Sequence, residues 1–195
     1  MSFKKILITL AMFISITGVS HAAVVLDFDS VATGSDIVNN PLVTAEGTIT
    51  ASSTGGNLYV TSGASGGFTG NGLRFDETVD GQYAQLAFDY DVSSVQFLYA
   101  GFLSGYFTAQ ALDASFNIVD SFFDGDTNND TPGGPIVLSG SNIRYFRFFD
   151  GPGGASFAGV DDLVITSAVP EPSTVVLFTL GLLGLGFMHR RAKKA

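Results

Sequence analysis

The chain has 195 residues and a formal net charge of −9, but residues 23–167 alone contain three basic and 17 acidic residues, a formal charge of −14 (3 − 17). Because phosphate binding depends on clustered lysine and arginine, this part of the chain is not expected to bind nucleic acid. It also contains no cysteine and no histidine, which excludes disulfides, thiol nucleophiles, Ser-His-Asp triads and the usual zinc sites.

The chain begins with a segment typical of a secretory signal peptide. Lys4 and Lys5 precede an apolar run at residues 6–19, and a small-residue cleavage sequence ends at Ala22. A membrane-spanning helix needs about 20 apolar residues, and this run is shorter. We therefore predict a signal peptide at residues 1–22, with the Sec export machinery and signal peptidase as partners.

Residues 23–167 are predicted to form one exported all-β domain. Short segments of alternating apolar and polar residues are separated by Gly, Asn, Asp and Ser, and no helical periodicity is sustained. A parallel sheet would need crossover helices, so we predict an antiparallel two-sheet β-sandwich. A Gly-rich segment at residues 63–72 is predicted to be a loop. In chain order, the predicted strands cover residues 24–28, 48–50, 58–60, 85–90, 95–99, 106–112, 118–123, 136–138, 143–149 and 160–166.

The end of the sequence has three parts at residues 168–195. Pro170, Glu171 and Pro172 hold the chain in an extended form, and an uncharged apolar segment follows. We predict a single transmembrane helix at residues 174–189. A basic tail comes next and should stay on the cytoplasmic side of the membrane; its charged residues are Arg190, Arg191, Lys193 and Lys194.

This order of proline-glutamate-proline, Gly- and Leu-rich helix and basic tail resembles the PEP-CTERM sorting signal. The resemblance implies that an exosortase-type membrane transpeptidase recognises Pro170-Glu171-Pro172 and removes the helix. It also implies a Gram-negative bacterium that makes exopolysaccharide. The protein would be anchored transiently in the inner membrane and would then reach the cell surface or extracellular matrix. The alternative is a permanent single-span anchor.

The middle of the chain resembles exported bacterial jelly-roll domains of the galactose-binding-like type. The segments that carry this resemblance are residues 26–30, 91–97, 111–114, 143–148 and 157–165. In such domains a structural calcium ion often ties the first strand to the last. Carried over to this sequence, the resemblance implies Asp29 and Asp161 as calcium ligands. The alternative is that both are exposed residues at strand ends, where aspartate commonly forms turns.

A second acidic segment, residues 124–130, places oxygen side chains at alternate positions, as an EF-hand loop does. Asn129 stands where the turn glycine belongs, and Pro135 stands where the closing glutamate belongs. A full EF-hand is therefore excluded, which leaves a looser calcium loop or a solvated turn.

Related folds bind carbohydrate through aromatic platforms, but this chain has no tryptophan. Tyrosines could replace it, although tyrosine at alternating strand positions is more often part of the sheet; the candidates are Tyr59, Tyr83, Tyr99, Tyr106 and Tyr145. We predict a non-catalytic exported surface or matrix protein associated with exopolysaccharide or biofilm. The alternatives are a calcium-stabilised carbohydrate-binding module and a surface hydrolase, which would need a carboxylate pair that spacing alone does not select.

Overall fold

The computed structural model describes residues 23–62, 68–102, 106–125, 133–150 and 157–168. They belong to one compact unit, His21–Ala168. The predicted signal peptide, Pro-Glu-Pro motif, transmembrane helix and basic tail lie outside the described residues. Within the described ranges, no helix has the length and apolar character needed to cross a membrane.

The described residues form an all-β structure, as predicted. Their one helix is a short 3-10 turn at Phe28–Ser30. The strands are β1 Val24–Leu26, β2 Leu42–Val43, β3 Thr48–Ser53, β4 Asn57–Ser62, β5 Asn71–Asp76, β6 Ala84–Phe102, β7 Phe107–Leu112, β8 Ile118–Asp124, β9 Gly133–Phe149 and β10 Phe157–Ser167.

All named strand pairs are antiparallel, and the order along the sheet is β4-β5-β10-β6-β9-β7-β8. Strands β1 and β3 pair with β10 and β6, and β2 pairs with β3. The long strands β6 and β9 serve both layers of the fold. The first part of β6 pairs with β3, whereas its second part, from Val92 onward, pairs with β10. A register shift between Ala87 and Val92 marks the point where the sheet bends.

The two layers pack face to face through phenylalanine side chains. Phe97 lies in the second part of β6, and its ring centre lies 5.0 Å from that of Phe146. Phe146 belongs to the second part of β9, from Tyr145 onward, which pairs with the first part of β6 and so lies in the other layer. Phe107 on β7 lies 6.1 Å from Phe97 by the same measure. All three side chains are fully buried. The predicted two-sheet antiparallel sandwich is therefore confirmed, with one continuous core between the layers.

The first strand is shorter than predicted. It ends at Leu26, because the Asp27 carboxylate accepts a hydrogen bond from the backbone N–H of Asp29 at 2.8 Å and caps the 3-10 turn that follows. Strand β5 was missed, because its first residues, Asn71 and Gly72, are typical of turns. It is a central strand of the sheet and pairs with β4 and β10.

Candidate functional site

The first and last strands bring the two predicted calcium ligands to the same end of the domain. Leu26 of β1 pairs with Leu163 of β10, so the residues after Leu26 lie near the residues before Leu163. Asp161 is only 5% exposed. It stands where the register of β10 shifts, next to Asp162, which has a φ of 49°. The predicted proximity of Asp29 and Asp161 thus follows from strand pairing.

The carboxylate of Asp29 already has a backbone partner. Its Oδ1 atom accepts a hydrogen bond of 2.6 Å from the N–H of Asn71, and the Asn71 side chain donates to the carbonyl oxygen of Val31. Asp29 is exposed. The hydrogen bond from Asn71 nevertheless fixes its carboxylate against β5. Two further carboxylates, those of Asp27 and Asp162, belong to this acidic end and were not selected from the sequence. The signal for Asp27 was its position as a turn cap after the first strand.

The pKa of Asp161 is raised to about 6, chiefly by burial. The backbone hydrogen bond from Asp162 lowers the pKa, and the nearby charges of Asp162, Asp29 and Asp27 raise it. The oxygen donors suit a hard cation such as calcium, which takes six to eight oxygen ligands. Within the described ranges, however, no three acidic or histidine side chains are placed to hold a metal ion together. Backbone carbonyls and water would have to supply most of the ligands, and calcium binding stays a prediction.

The second acidic segment is described only at Asp124 and Gly125. Asp124 is the last residue of β8, and its Oδ2 atom accepts a hydrogen bond of 2.5 Å from the hydroxyl of Tyr99. Residues 126–130 lie outside the described part of the chain. The carboxylate of Asp124 thus links β8 to β6, whereas the rest of the predicted loop stays untested.

An open cleft of about 570 Å³ lies beside β4. Two carboxylates line it, and both have hydrogen-bond partners. Asp36 accepts from the N–H of Val38 and from the side chain of Asn39. Asp76 accepts from the Tyr59 hydroxyl at 2.9 Å and from the Nε of Arg74 at 2.6 Å. Burial, followed by this contact with Asp76, raises the pKa of the Tyr59 hydroxyl. The two carboxylates therefore hold the walls of the cleft in place.

One glutamate is buried beneath the turn after β5. Glu77 is 3% exposed, its Oε1 accepts a hydrogen bond from the N–H of Gln82 at 3.2 Å, and its Oε2 has no partner. Burial is the main cause that raises its pKa, and the charges of Asp150 and Asp80 act in the same direction. A buried carboxyl of this kind is where a general acid would be sought. Glu77 does not line the cleft beside β4.

The five tyrosines considered from the sequence have different surroundings. Tyr99 is buried in the core, and Tyr106 stacks on the exposed ring of Phe123. Tyr83 and Tyr145 lie on the outside of the sandwich. The Arg147 side chain contacts Tyr83, and the Phe116 ring stacks on Tyr145. The sequence did not single out Phe116 and Arg147. Their positions depend on strand register and turn conformation, which periodicity alone does not define.

Three solved structures illustrate the similarity of this fold to known proteins. The K2 cleaved adhesin domain of Lys-gingipain has 14% identity and a TM-score of 0.46, over 75% of this chain and 99% of that one. The CsCBM6-3 module from Clostridium stercorarium, in complex with cellobiose, has 17% identity and a TM-score of 0.36, over 60% and 87%. The family 11 carbohydrate-binding module of the cellulase Lic26A-Cel5E from Clostridium thermocellum has 12% identity and a TM-score of 0.39, over 76% and 96%.

These TM-scores all lie below 0.5, so no ligand of this chain follows from them. No curated protein sequence matches the chain. The family model of the PEP-CTERM protein-sorting motif, in contrast, matches residues 168–191. This range contains Pro170-Glu171-Pro172 and the first two residues of the basic tail, so the resemblance at this end is confirmed. The chain therefore carries a PEP-CTERM protein-sorting motif, which implies export and processing by an exosortase.

Proposed function

We propose that the protein is a non-catalytic component of the cell surface or extracellular matrix of a Gram-negative bacterium, where it associates with exopolysaccharide in a biofilm. The match of the sorting motif to residues 168–191 carries this proposal. Signal peptidase and the Sec machinery act at the N-terminal end, and an exosortase-type transpeptidase acts at Pro170-Glu171-Pro172. The protein passes through an inner-membrane-anchored intermediate.

The described carboxylates support a binding role over a catalytic one. In the cleft beside β4, Asp36 and Asp76 accept hydrogen bonds from neighbouring side chains and backbone. A glycosidase needs one carboxylic acid with a raised pKa and a second carboxylate across the same site. Glu77 and Asp161 have raised pKa values, but both side chains are buried and neither lines the cleft. The proposal therefore assigns no catalytic residue.

Fractionation of the producing cells tests the proposal. The wild-type protein should be recovered with the extracellular polysaccharide and should be released when that polysaccharide is digested. A variant with alanines at Pro170, Glu171 and Pro172 should stay in the inner membrane. As a matched control, replacing Val169 with alanine alters the same segment but leaves the motif intact. Wild-type protein that is found free in the medium, and is unaffected by digestion, would contradict the association with polysaccharide.

A second candidate function is a calcium-stabilised carbohydrate-binding module. The buried carboxylate of Asp161, surrounded by other acidic groups and with a raised pKa, favours it. A bound cation would offset this concentration of negative charge, and Asp29 and Asp161 would be its carboxylate ligands. A saturable increase in Tm with calcium, absent in Asp161→Asn, is the expected result. An equal increase in both proteins would exclude this site.

A further inference from the structure

One row of polar residues crosses the outside of the sandwich. Each member of the row lies directly opposite the next member on the adjacent strand. The residues before and after each member along its own strand are mostly core residues. Residues in register on antiparallel strands share a face, so these side chains point away from the core. At about 4.8 Å per strand, the row is about 19 Å long. We call it the polar row: Ser121 on β8, Gln110 on β7, Arg147 on β9, Gln85 on β6 and Ser52 on β3.

Aromatic rings lie on both sides of Arg147 in this row. The ring of Phe116 stacks on that of Tyr145, with ring centres 4.4 Å apart and an interplanar angle of 14°. The Arg147 guanidinium carbon lies 4.3 Å from the centre of the Tyr83 ring and 5.3 Å from that of Phe116. Phe116 nevertheless remains 52% exposed. These four side chains form an ordered surface, which we call the aromatic platform.

The turn between β7 and β8 holds Phe116 in place. Phe116 has a φ of 62°, an unusual conformation for a bulky residue. The Asp113 carboxylate accepts hydrogen bonds from the N–H groups of Ser115 and Asn117, at 2.8 and 2.9 Å, and from the Asn117 side chain. These bonds lower the pKa of Asp113. The turn therefore presents an apolar ring in a fixed orientation, with about half of its surface exposed to solvent.

Arg147 differs from the two other arginines of the domain. Arg74 pairs with Asp76, and Arg144 pairs with Asp91 at 2.9 Å. Arg147 instead donates from Nε to the neutral side chain of Gln85 at 2.7 Å, and within the described ranges it forms no salt bridge. Among the residues that the structure describes, no carboxylate pairs with its terminal nitrogens. A guanidinium in this state is suited to bind a carboxylate with two hydrogen bonds.

The charges around Arg147 favour an anionic ligand. The polar row contains no acidic residue, and neither do the neighbouring outward positions on β7 and β9, which are Thr108, Tyr145 and Phe149. The domain as a whole is strongly acidic, but exposed charges more than about 8 Å away are largely screened at physiological ionic strength. Within the described part of the chain the Arg147 guanidinium has no carboxylate partner, so it is a local site of positive charge.

We propose that the aromatic platform and the polar row bind a polysaccharide that contains uronic acid. A sugar ring packs its apolar face on Phe116, its carboxylate accepts hydrogen bonds from the terminal nitrogens of Arg147, and Gln110 and Gln85 bind hydroxyl groups along the row. This inference rests on the proposed association with exopolysaccharide and assigns it a site and a sugar class.

The test compares polygalacturonate with its methyl ester, which has the same sugar ring but no charge. The full-length chain, purified in a mild detergent, is run in native gels that contain either polymer at 0.15 M salt. We expect polygalacturonate to retard the protein. Arg147→Gln should weaken the interaction about tenfold or more, as the loss of a charged hydrogen-bond partner does. Arg144→Gln is the matched control, because it removes the same charge from the same strand, and it should bind like the wild type.

Phe116→Asn provides the second variant, because asparagine tolerates a positive φ and keeps the turn while the ring is lost. It should also bind more weakly, whereas Val137→Ala, at a site 50% exposed on the first part of β9, should not.

If Arg147→Gln and Phe116→Asn bind as the wild type does, the site is wrong although the proposed function stands. Equal binding of the methyl ester refutes the role of charge. Failure to bind either polymer refutes the site, and when fractionation also finds no polysaccharide association, it refutes the proposed function. A dimer that Phe116→Asn abolishes would make this face a self-interface and overturn the proposal.

Discussion

Replacing Asp161 with asparagine should make the protein more stable at neutral pH in the absence of calcium. The folded-state pKa of Asp161 is about 6, against 3.8 for an unperturbed aspartate. At ~1.4 kcal/mol for each tenfold change in proton affinity, ionisation of the folded protein costs about 3 kcal/mol at pH 7. Asparagine is never ionised, and its side-chain oxygen can still accept the hydrogen bond from the N–H of Asp162, which is 2.8 Å long in the wild type.

The pH dependence follows from the direction of this change in pKa. The folded state binds the proton more tightly than the unfolded state, so the contribution of Asp161 to stability is fully present below pH 4. It is lost as the pH rises from about 4 to about 6. Urea unfolding with a chelator present, from pH 3.5 to pH 8, measures the free energy of unfolding of both proteins. Asp161→Asn and the wild type should be similar at the acidic end and should differ by about 3 kcal/mol above pH 6.5.

Asp113→Asn is the matched control, because it makes the same chemical change where the structure predicts the opposite sign. Hydrogen bonds from Asn117 and Ser115 lower the pKa of Asp113, so its charge stabilises the fold at neutral pH. Asp113→Asn should therefore be less stable than the wild type at pH 7, and the difference should shrink as the pH falls below 4. A wild type that is no less stable than Asp161→Asn at pH 7 would refute the account of the buried carboxylate.

Two further substitutions test the core and the second buried carboxyl. Phe97→Ala removes a fully buried ring that packs on Phe107 and Phe146, and urea unfolding should show a loss of about 3–5 kcal/mol. The exposed control Val137→Ala should change stability by less than about 0.5 kcal/mol, and an equal effect of both would contradict the packing described. Glu77→Gln should raise the Tm at pH 7 and not at pH 4, because burial raises the pKa of Glu77 above its ordinary value and its ionisation at higher pH destabilises the fold. A Tm of Glu77→Gln below that of the wild type at pH 7 would show that the charge of Glu77 stabilises the fold.

The sequence predicted the class of the fold because alternation of apolar and polar residues is a local property. Leu86 and Phe88 alternate with less buried residues in the first part of β6, Val95 and Phe97 do so in its second part, and all four are buried, as expected. Each of the long strands β6 and β9 was predicted as two short strands. The polar residues around Asp91 and Asn142 interrupt the alternation where the sheet bends. At Asn142 the backbone has a φ of 60°. Bends within a continuous strand depend on which partner strand lies on each side, and alternation contains no information about that partner.

The functional residues were predicted only where they are adjacent in the sequence. The sorting motif was identified because Pro170, Glu171 and Pro172 directly precede an apolar segment and a basic tail. The aromatic platform was missed, because register brings Arg147 opposite Gln85, 62 residues away in sequence. Phe116 was missed for a second reason. Its position in a turn gave no sign of a binding role in the sequence. Only the left-handed backbone conformation of Phe116 places its ring on Tyr145.

The sorting motif implies that the protein is exported and processed at the membrane. The most direct measurement is the mass of its C-terminal peptide, isolated from cells with and without an exosortase-type transpeptidase. We expect the apolar segment and basic tail to be absent from the mature protein only when the transpeptidase is present. Alanines at Pro170, Glu171 and Pro172 should prevent removal of the apolar segment and basic tail. Recovery of the same C-terminal peptide from both strains and from the alanine variant would contradict processing at this motif.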